Sequence, residues 1–376
     1  MHPEILLGCQ RDFEVNHRPR KMVKHSVEFC VERDLPELFE LFAEWYKFNP
    51  RMREREFFDW QFRDTPNKLG EGEYDFLILR DQSERIVGCL GFVGFEFRLG
   101  NRIDIGGWTH NWRAERQGEG GLALLGRFME MVTNRFLLRL NDKSISIARM
   151  LRIPILPTLP RFWAAIDADR VAELFGVSDP ADRVMLQRSS HCFWRTMATP
   201  NAKRVSRLDS EDEFLFEHLE GVNNYARRNG RYLNWRYIDI PKHTYRIVRT
   251  DKALGVYRIE TVMGTDATVI RLLEWTFAPD EAAGALTTVM AEAASHNPVL
   301  IDFHCTFRTL GSLLAPFGFV PQGAIKMSMP DLFRPTHRSG GYAVAIDLPP
   351  HRTARIVDFD SWYITIGDSD IDRVKL

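Results

Sequence analysis

The run IDIGGWTHNWRAERQGEGGLALLGRFMEM, residues 103–131, holds the pattern that decides the fold. Its first part is rich in Ile, Trp and Thr, which favours a β-strand. A loop with three glycines follows, between Glu115 and Gly121. Apolar residues then recur at helical spacing, namely Leu122, Leu125, Phe128, Met129 and Val132. The run therefore predicts a strand, a glycine loop and a helix, in that order.

The glycine loop predicts a place for a phosphate group. Gly118, Gly120 and Gly121 let the main chain come close to a ligand, because glycine has no side chain in the way. The first turn of the next helix presents unpaired N–H groups and the positive end of the helix dipole, which attract an anion. A phosphate-bearing cofactor is one interpretation of this pattern, and a plain connection between strand and helix is the other.

Length, charge and composition limit the class of protein. The 376 residues exceed one ordinary core, so two domains are expected. The formal net charge of −1 gives no basic excess that would draw the chain to nucleic acid or to an anionic membrane. No apolar run reaches the roughly 18 residues of a membrane span. The five cysteines are scattered without a CxxC pair, which indicates reduced thiols in a cytoplasmic protein and neither a disulfide frame nor a zinc site.

The second half of the chain repeats the first. Trp60–Pro66 and Trp235–Pro241 share the pattern of Trp, any residue, an aromatic, three of any residue and Pro. Each is followed by an aromatic-rich run, a polar turn, a strand with an early glycine, a strand with Trp near its end and an amphipathic helix. In the first half the patterns predict a helix over 54–62 and a hairpin with strands over 75–80 and 85–97. Two copies of one α/β unit, joined near residues 197–207, explain this order better than chance likeness.

Four motifs of this sequence are shared with one known family. They are Arg85–Gly88, the loop Arg116–Gly121 followed by Leu124-Leu125, Leu313–Phe319 and the tail Trp362–Asp372. On these motifs each half resembles a GNAT-type N-acyltransferase domain. The whole chain is similar to tandem GNAT-like proteins linked with surface-polysaccharide gene sets. The resemblance implies an α/β fold of the α+β type with mixed sheets, built as two GNAT-like domains in tandem.

The repeat and the resemblance together divide the chain into four parts. We expect residues 1–26 to form a polar leader, since they lack the apolar core of a signal peptide. We expect the N-terminal GNAT-like domain over 27–196 and the C-terminal one over 197–335. Residues 336–376 are then a C-terminal extension.

The resemblance implies that acyl-CoA, for example acetyl-CoA, is the donor and that the glycine loop holds its phosphates. The residues expected to bind it lie at the end of the fourth strand and in the loop, namely Asn111, Trp112, Arg116, Gln117, Gly118, Gly120 and Gly121. Glu119 stands where the family has a glycine, and its charge would repel a pyrophosphate. The matching stretch of the second half keeps only Gly284 and follows two acids, Asp280 and Glu281, so the first half is the better acyl-CoA site.

Transfer to an amine needs a base, N–H groups that polarise the carbonyl, and preferably an acid for the departing thiolate. The resemblance puts the base on the fourth strand, where the candidates are His110 in the first half and Glu274 in the second. His304 is a third candidate, with Asp302 as the residue that orients it, because alternation puts both on one face of the fifth strand. These three residues are the predicted catalytic groups.

Each candidate also has a structural interpretation. His110 would be a hydrogen-bonded histidine within an aromatic strand. Glu274, in an apolar strand, would be paired with Arg271 or Arg258, since a buried carboxylate needs a partner or a raised pKa. Cys305 has no motif for a nucleophile and is expected to be buried packing.

The acid that the family uses is a Tyr, and this sequence has Ala148 and Leu314 at the two matching places. The resemblance favours an acyl-CoA-dependent N-acyltransferase that acts on a small-molecule amine. The suggestion that this amine is an amino sugar comes from the resemblance and not from any residue of the sequence. One alternative is a Fem-type ligase that uses aminoacyl-tRNA, which the lack of a basic patch disfavours. The other is a binding protein that keeps the fold without catalysis, which the missing Tyr and Glu119 favour.

Two further patterns have structural interpretations that require no ligand. Asp368, Asp370 and Asp372 alternate, but the tail lacks the Gly and the distal Glu of a calcium loop, so we expect a solvated or helix-capping tail and no metal. Trp60 and Trp235 are expected to pack in the core, and a wall on which a sugar stacks is the alternative.

Overall fold

In the computed structural model the chain forms two mixed β-sheets with helices packed on them. The structure describes residues 26–47, 50–115, 119–138, 140–214, 216, 219, 221–242, 244–262, 264–307, 309–327, 329, 343–348 and 358–368. The α/β class with mixed sheets that the sequence predicts is confirmed.

The secondary structure of the described residues is as follows. The β-strands are β1 (Ser26–Phe29), β2 (Phe76–Arg80), β3 (Ile86–Leu99), β4 (Arg102–Ala114), β5 (Arg135–Leu138), β6 (Ile155–Leu156), β7 (Arg161–Ala165), β8 (Lys203–Val205), β9 (Glu213–Phe214), β10 (Asn224–Ala226), β11 (Arg228–Asn229), β12 (Arg246–Arg249), β13 (Leu254–Thr261), β14 (Thr268–Trp275), β15 (Pro298–His304), β16 (Val320–Pro321), β17 (Val344–Asp347) and β18 (Trp362–Tyr363). The α-helices are α1 (Leu35–Trp45), α2 (Arg55–Phe62), α3 (Glu119–Met131), α4 (Asp142–Met150), α5 (Ala168–Leu174), α6 (Pro180–Arg195), α7 (Gly230–Leu233), α8 (Pro279–Ala293) and α9 (Thr309–Leu314), and a π-helical turn at Asn234–Ile238 continues α7. Within these ranges, no helix combines the length and the apolarity needed to cross a membrane.

The two sheets have the same strand order. The first runs β1-β2-β3-β4-β5-β17-β6, and the second runs β8-β12-β13-β14-β15-β7-β16. In each order one neighbouring pair is parallel, β4 with β5 and β14 with β15, and the other neighbours are antiparallel. The predicted hairpin is present as β2 and β3, closed by a hydrogen bond from the Asp81 N–H to the Arg85 carbonyl.

Each sheet includes strands from outside its own run of the chain, and in the first sheet these include β10, which pairs with β3, and β18, which pairs with β10. β7 comes before the predicted border at residue 197, yet it pairs with β15 in the second sheet. β17 comes after residue 335, yet it pairs with β5 in the first sheet. The sheets therefore interlock through a reciprocal strand exchange. The division into four parts at those borders stays a prediction.

The fourth strand of each sheet carries a β-bulge at the same place. The pairs that flank the bulge are Cys89 with Arg113 and Gly91 with His110 in the first sheet, and Val256 with Glu274 and Tyr257 with Leu272 in the second. In the first sheet Asn111 adopts a φ of 50°, in the left-handed region. Because a bulge bends its strand, the ends of β4 and β14 turn away from β5 and β15. Each opening would let a ligand reach the middle of its sheet wherever no other segment of the chain fills it.

Trp60 and Trp235 join the two halves at equivalent positions of the repeat. Their rings stack with centroids 5.1 Å apart and planes 19° apart. Each indole Nε1 donates to the other residue's carbonyl oxygen, at 2.8 Å from Trp60 and 3.0 Å from Trp235. Both side chains are buried, so the expectation of core packing is confirmed and their faces are not free to stack on a sugar.

We expect Trp60→Phe and Trp235→Phe each to lower the free energy of unfolding by about 1–3 kcal/mol, because each leaves a buried carbonyl without its donor. A double-mutant cycle measured by urea unfolding should give a coupling of about 1 kcal/mol between them. The control cycle pairs Trp60→Phe with Trp194→Phe, whose indole donates to Ile166 elsewhere, and should be additive. Additive effects of Trp60 and Trp235 would contradict a joint contact.

Candidate functional site

We call the opening between the ends of β4 and β5 the first cleft. β4 pairs with β5 over Gly107–Thr109, and beyond that point the two strands are no longer bonded to each other. The side chains around the opening keep part of their surface exposed, namely those of Thr109, Asn111, Trp112 and Leu138. A ligand arm entering here would meet the bulged end of β4.

The first turn of α3 lies beside this cleft. The Trp112 indole Nε1 donates to the Gly121 carbonyl at 3.0 Å, which ties the end of β4 to the start of the helix. A Cβ on Gly121 would meet only the Trp112 Nε1, at 3.7 Å, so there is room at this position. A Cβ on Gly120 would lie 2.6 Å from a Leu79 methyl, so glycine allows the helix to pack closely on β2 there.

The predicted phosphate loop is only partly described. Arg116, Gln117 and Gly118 lie outside the described residues, and their role stays a prediction. Gly120 and Gly121 were predicted to lie in the loop, but they belong to the first turn of α3, which begins at Glu119; Asn111 and Trp112 belong to the bulged end of β4. The structure thus brings these four predicted residues to one end of the sheet.

His110 lies on β4 at the bulge and is 4% exposed. Its ring packs against Phe62 of α2, with centroids 6.4 Å apart and planes at 68°. The neighbouring Asn111 places its amide Nδ2 3.8 Å from the Met52 sulfur. His110 therefore faces the α2 side of the first sheet.

The second cleft, between the ends of β14 and β15, is closed by the C-terminal segment 362–368. The Tyr363 hydroxyl accepts from the Trp275 main-chain N–H at 2.9 Å and donates to the Trp275 carbonyl at 3.3 Å. The Thr306 N–H donates to the Ile364 carbonyl at 3.0 Å, and Thr365 bridges to Cys305. These residues are buried, and Cys305 is buried packing as expected.

Glu274 lies under this segment in a fully buried polar cluster. Its Oε1 accepts from the Tyr237 hydroxyl at 2.7 Å and lies 3.0 Å from the Arg228 Nε. The Arg228 Nη2 also donates to the Asp368 Oδ2 at 2.9 Å. Burial raises the pKa of Glu274 from its ordinary value of 4.5 to about 7, since the attraction of Arg228 only partly offsets the lost hydration and Asp368 repels the charge.

One expectation about this region is wrong, and another is wrong in part. Glu274 pairs with Arg228, while Arg271 pairs with Asp302 and Arg258 pairs with a neighbouring glutamate. Asp368 is not solvated, because it is buried against Arg228, but it does cap a helix: its Oδ2 accepts from the Thr365 N–H at 2.9 Å, at the start of the 3-10 turn Ile366–Asp368. Asp370 and Asp372 lie outside the described residues.

The structure brings His304 and Asp302 together on β15, with the His304 Nε2 3.6 Å from the Asp302 Oδ2. Asp302 also lies 2.7 Å from an Arg161 nitrogen and 2.9 Å from an Arg271 nitrogen, so two guanidinium groups already hold it. Burial lowers the pKa of His304 from 6.5 to about 4, which leaves the imidazole neutral near pH 7. All these side chains are buried, so the pair is arranged as an ionic cluster within the second sheet.

Sequence reasoning missed the groups that close the second cleft. Arg228 belongs to no motif, and the tail motif Trp362–Asp372 assigned no role to Tyr363; both residues are distant from β14 in the sequence. A charged Glu274 within the apolar run of β14 indicated that some partner existed, but not which one. An aromatic residue in the tail gave no sign that its hydroxyl would bind a main-chain group.

Comparisons with known proteins place the fold. No protein-family profile matches the chain, and no curated protein matches it in sequence. Among solved structures, a conserved protein of unknown function from Enterococcus faecalis, described as a probable N-acyltransferase, is 12% identical with a TM-score of 0.52 over 86% of this chain and 72% of that chain. A GCN5-related N-acetyltransferase from Anabaena variabilis is 8% identical with a TM-score of 0.51 over the same shares. The GNAT-like fold that the sequence predicts is confirmed.

Glu274 makes the stability of the protein depend on pH. The pKa of Glu274 is about 7 in the folded chain and about 4.5 in the unfolded chain. Its contribution to the free energy of unfolding is therefore fully present below about pH 4.5 and is lost as the pH rises through about 7. Glu274→Gln keeps this side chain neutral at every pH. We therefore expect the free energy of unfolding of the variant, measured with urea, to fall less between about pH 5 and pH 8 than that of the wild type. Glu32→Gln is the control, because Arg55 lowers the pKa of that exposed carboxylate below this window. Parallel curves for the wild type and Glu274→Gln would mean that Glu274 stays ionised throughout.

Proposed function

We propose that this protein transfers an acyl group from acyl-CoA to an amine, and that the first cleft is the reaction site. The observation that carries the proposal is the difference between the two clefts. The first keeps partly exposed side chains at the end of β4, whereas Tyr363 and its neighbours close the second. The GNAT-like fold supports the reaction class, since the sequence resemblance links that fold with acyl-CoA.

The donor would lie between α3 and the end of β4. The first turn of α3 supplies N–H groups and a positive dipole end for the phosphates. The room at Gly121 and the contact of Trp112 with that turn fit a chain of atoms that passes from the helix to β4. Trp112 would then be the wall against which the thioester arm packs. Arg116 and Gln117 would complete the phosphate site.

His110 is the base that we propose for the reaction. It would take a proton from the incoming ammonium, so that the neutral nitrogen bonds to the thioester carbonyl carbon. Main-chain N–H groups at the bulge of β4 would polarise the carbonyl oxygen. The C–S bond then breaks, and the CoA thiolate takes the second proton of the amine, while the first leaves to solvent through His110. Glu274 and His304 remain candidates of the second half, but both lie beneath closed structure.

The acceptor is a small-molecule amine in this proposal. An amino sugar, in the synthesis of a surface polysaccharide, is its finer form and rests on the sequence resemblance. Acetyl-CoA is the simplest donor, and a cytoplasmic protein would have access to it.

A binding protein without catalysis is the second candidate function. Ala148 on α4 and Leu314 on α9 stand where the family's Tyr is expected, so no phenol from those places serves the thiolate. This absence favours the binding protein. A Fem-type ligase has no comparable support, because the formal charge of −1 gives no surface excess for tRNA.

Donor binding can be tested with a matched pair of variants. Gly121→Glu puts a carboxylate in the first turn of α3, three residues before Leu124, and Ala283→Glu puts one in the second turn of α8, three residues before Leu286. By isothermal titration we expect acetyl-CoA to bind the wild type and Ala283→Glu alike, and Gly121→Glu at least about tenfold more weakly, because its charge repels the phosphates. No binding to the wild type at millimolar acetyl-CoA would overturn the transferase proposal.

The base can be tested once a screen of amines, read by release of free CoA, has found an acceptor. His110→Gln should lower kcat by about 10²- to 10⁴-fold with the affinity for acetyl-CoA unchanged, since it removes proton transfer and not binding. Glu274→Gln should keep turnover. If Glu274→Gln loses turnover and His110→Gln keeps it, the reaction belongs to the second half. Binding of acetyl-CoA without turnover of any amine would favour the binding protein.

A further inference from the structure

A groove of about 780 Å³ lies between α6 and α8 on the second sheet, away from both clefts. Its floor includes Ile166 and Val299, at the ends of β7 and β15. Its walls include Trp194 from α6 and Met290 from α8. The volume falls within the range of about 300–1,000 Å³ that small-ligand sites occupy, and a mostly apolar lining is typical of such sites. We call it the α6–α8 groove.

The aromatic wall of this groove is rigid and faces solvent. Trp194 is 50% exposed, yet its Nε1 donates to the Ile166 carbonyl at 2.9 Å. The Ser190 hydroxyl donates to the same carbonyl at 2.9 Å, which fixes that carbonyl in turn. On the opposite wall Ala291 and Ala294 are small and exposed, so the space beside the indole stays open. Because the indole is already held in place, a ligand that packs against it loses little binding free energy to ordering that side chain.

The charged residues of the lining determine which ligand charge the groove favours. Asp167 and Asp169 line the groove, and no Lys, Arg or His is among the described residues that line it. The Asp169 carboxylate accepts from the Gln187 amide at 2.8 Å, and Asp167 accepts from the Arg170 N–H at 3.0 Å, so neither is neutralised by a direct ion pair within the lining. An aromatic face also attracts a cation. Acyl-CoA, an anion, is therefore the wrong ligand for this groove.

We propose that the α6–α8 groove binds a small organic cation with an apolar body. The ammonium group lies toward Asp167 and Asp169, and the apolar body packs against Trp194 and Met290. This site belongs to the second sheet and does not depend on the function proposed for the first cleft.

The charge preference can be tested with two probes that share a ring and a short chain. Phenethylamine is a cation at neutral pH and phenylacetate an anion, and both are titrated into the full chain by isothermal titration. We expect phenethylamine to bind at least tenfold more tightly, and added salt or Asp169→Asn to weaken it. Equal affinity for both probes, or no binding of the amine at millimolar concentration, overturns the proposal.

The place of binding can be tested with a groove-filling variant. Ala291→Trp puts a large ring into the groove from an exposed position, and Ala181→Trp puts the same ring at the exposed start of α6 as the control. We expect binding of phenethylamine to be lost in the first and kept in the second. If circular dichroism shows that Ala291→Trp does not fold, Ala294→Phe replaces it. Amine binding that survives groove filling would place the probe elsewhere, for example in the first cleft as an acceptor, and would overturn this inference while leaving the proposed function intact.

Discussion

A main-chain N–H or C=O group that loses its neighbouring strand must find another partner or face water, and both clefts depend on this constraint. The bulges turn the ends of β4 and β14 away from the next strand. In the second cleft the Tyr363 hydroxyl serves both the N–H and the carbonyl of Trp275, so the opening is closed from within the chain. In the first cleft the side chains at the end of β4 keep access to solvent. The same strand geometry thus produces one closed and one open unit.

The two sheets have the same strand order, but one is held by aromatic packing where the other is held by buried ion pairs. In the first sheet Phe95, Trp108 and Phe136 pack as an aromatic cluster. In the second, Asp302 on β15 holds Arg271 of β14 and Arg161 of the exchanged β7. Removing one partner from a buried ion pair leaves an uncompensated charge, which costs about 3–5 kcal/mol, so such clusters fix which chain segments meet. The ion pairs of the second half secure the exchanged strand, and Arg228 with Asp368 secures the C-terminal segment.

Much of the fold could be predicted from local sequence patterns. The repeated motifs at Trp60 and Trp235, the hairpin of β2 and β3, and the apolar face of α3 all depend on residues close in sequence, and their periodicity was sufficient to predict them, although α3 begins before Gly120 and Gly121 and not after them. The strand exchange could not be predicted, because the pattern of a strand indicates that it is buried but not which strand it pairs with. For the same reason Glu274 could be recognised as needing a partner, while Arg228 could not be named. In the candidate site, Asn111, Trp112, Gly120 and Gly121 were predicted to lie together because a strand, a loop and a helix follow each other there.

The exchange of β7 and β17 has a consequence for how the molecule is made. β5 has β4 on one side, but its other neighbour, β17, is synthesised only after residue 343. During translation the first sheet therefore waits with an unpaired edge while the whole second sheet emerges from the ribosome, and exposed strand edges are where nascent chains aggregate. The second sheet, by contrast, has its foreign strand ready before its own strands appear. The first sheet should thus be completed only after the second sheet has been synthesised.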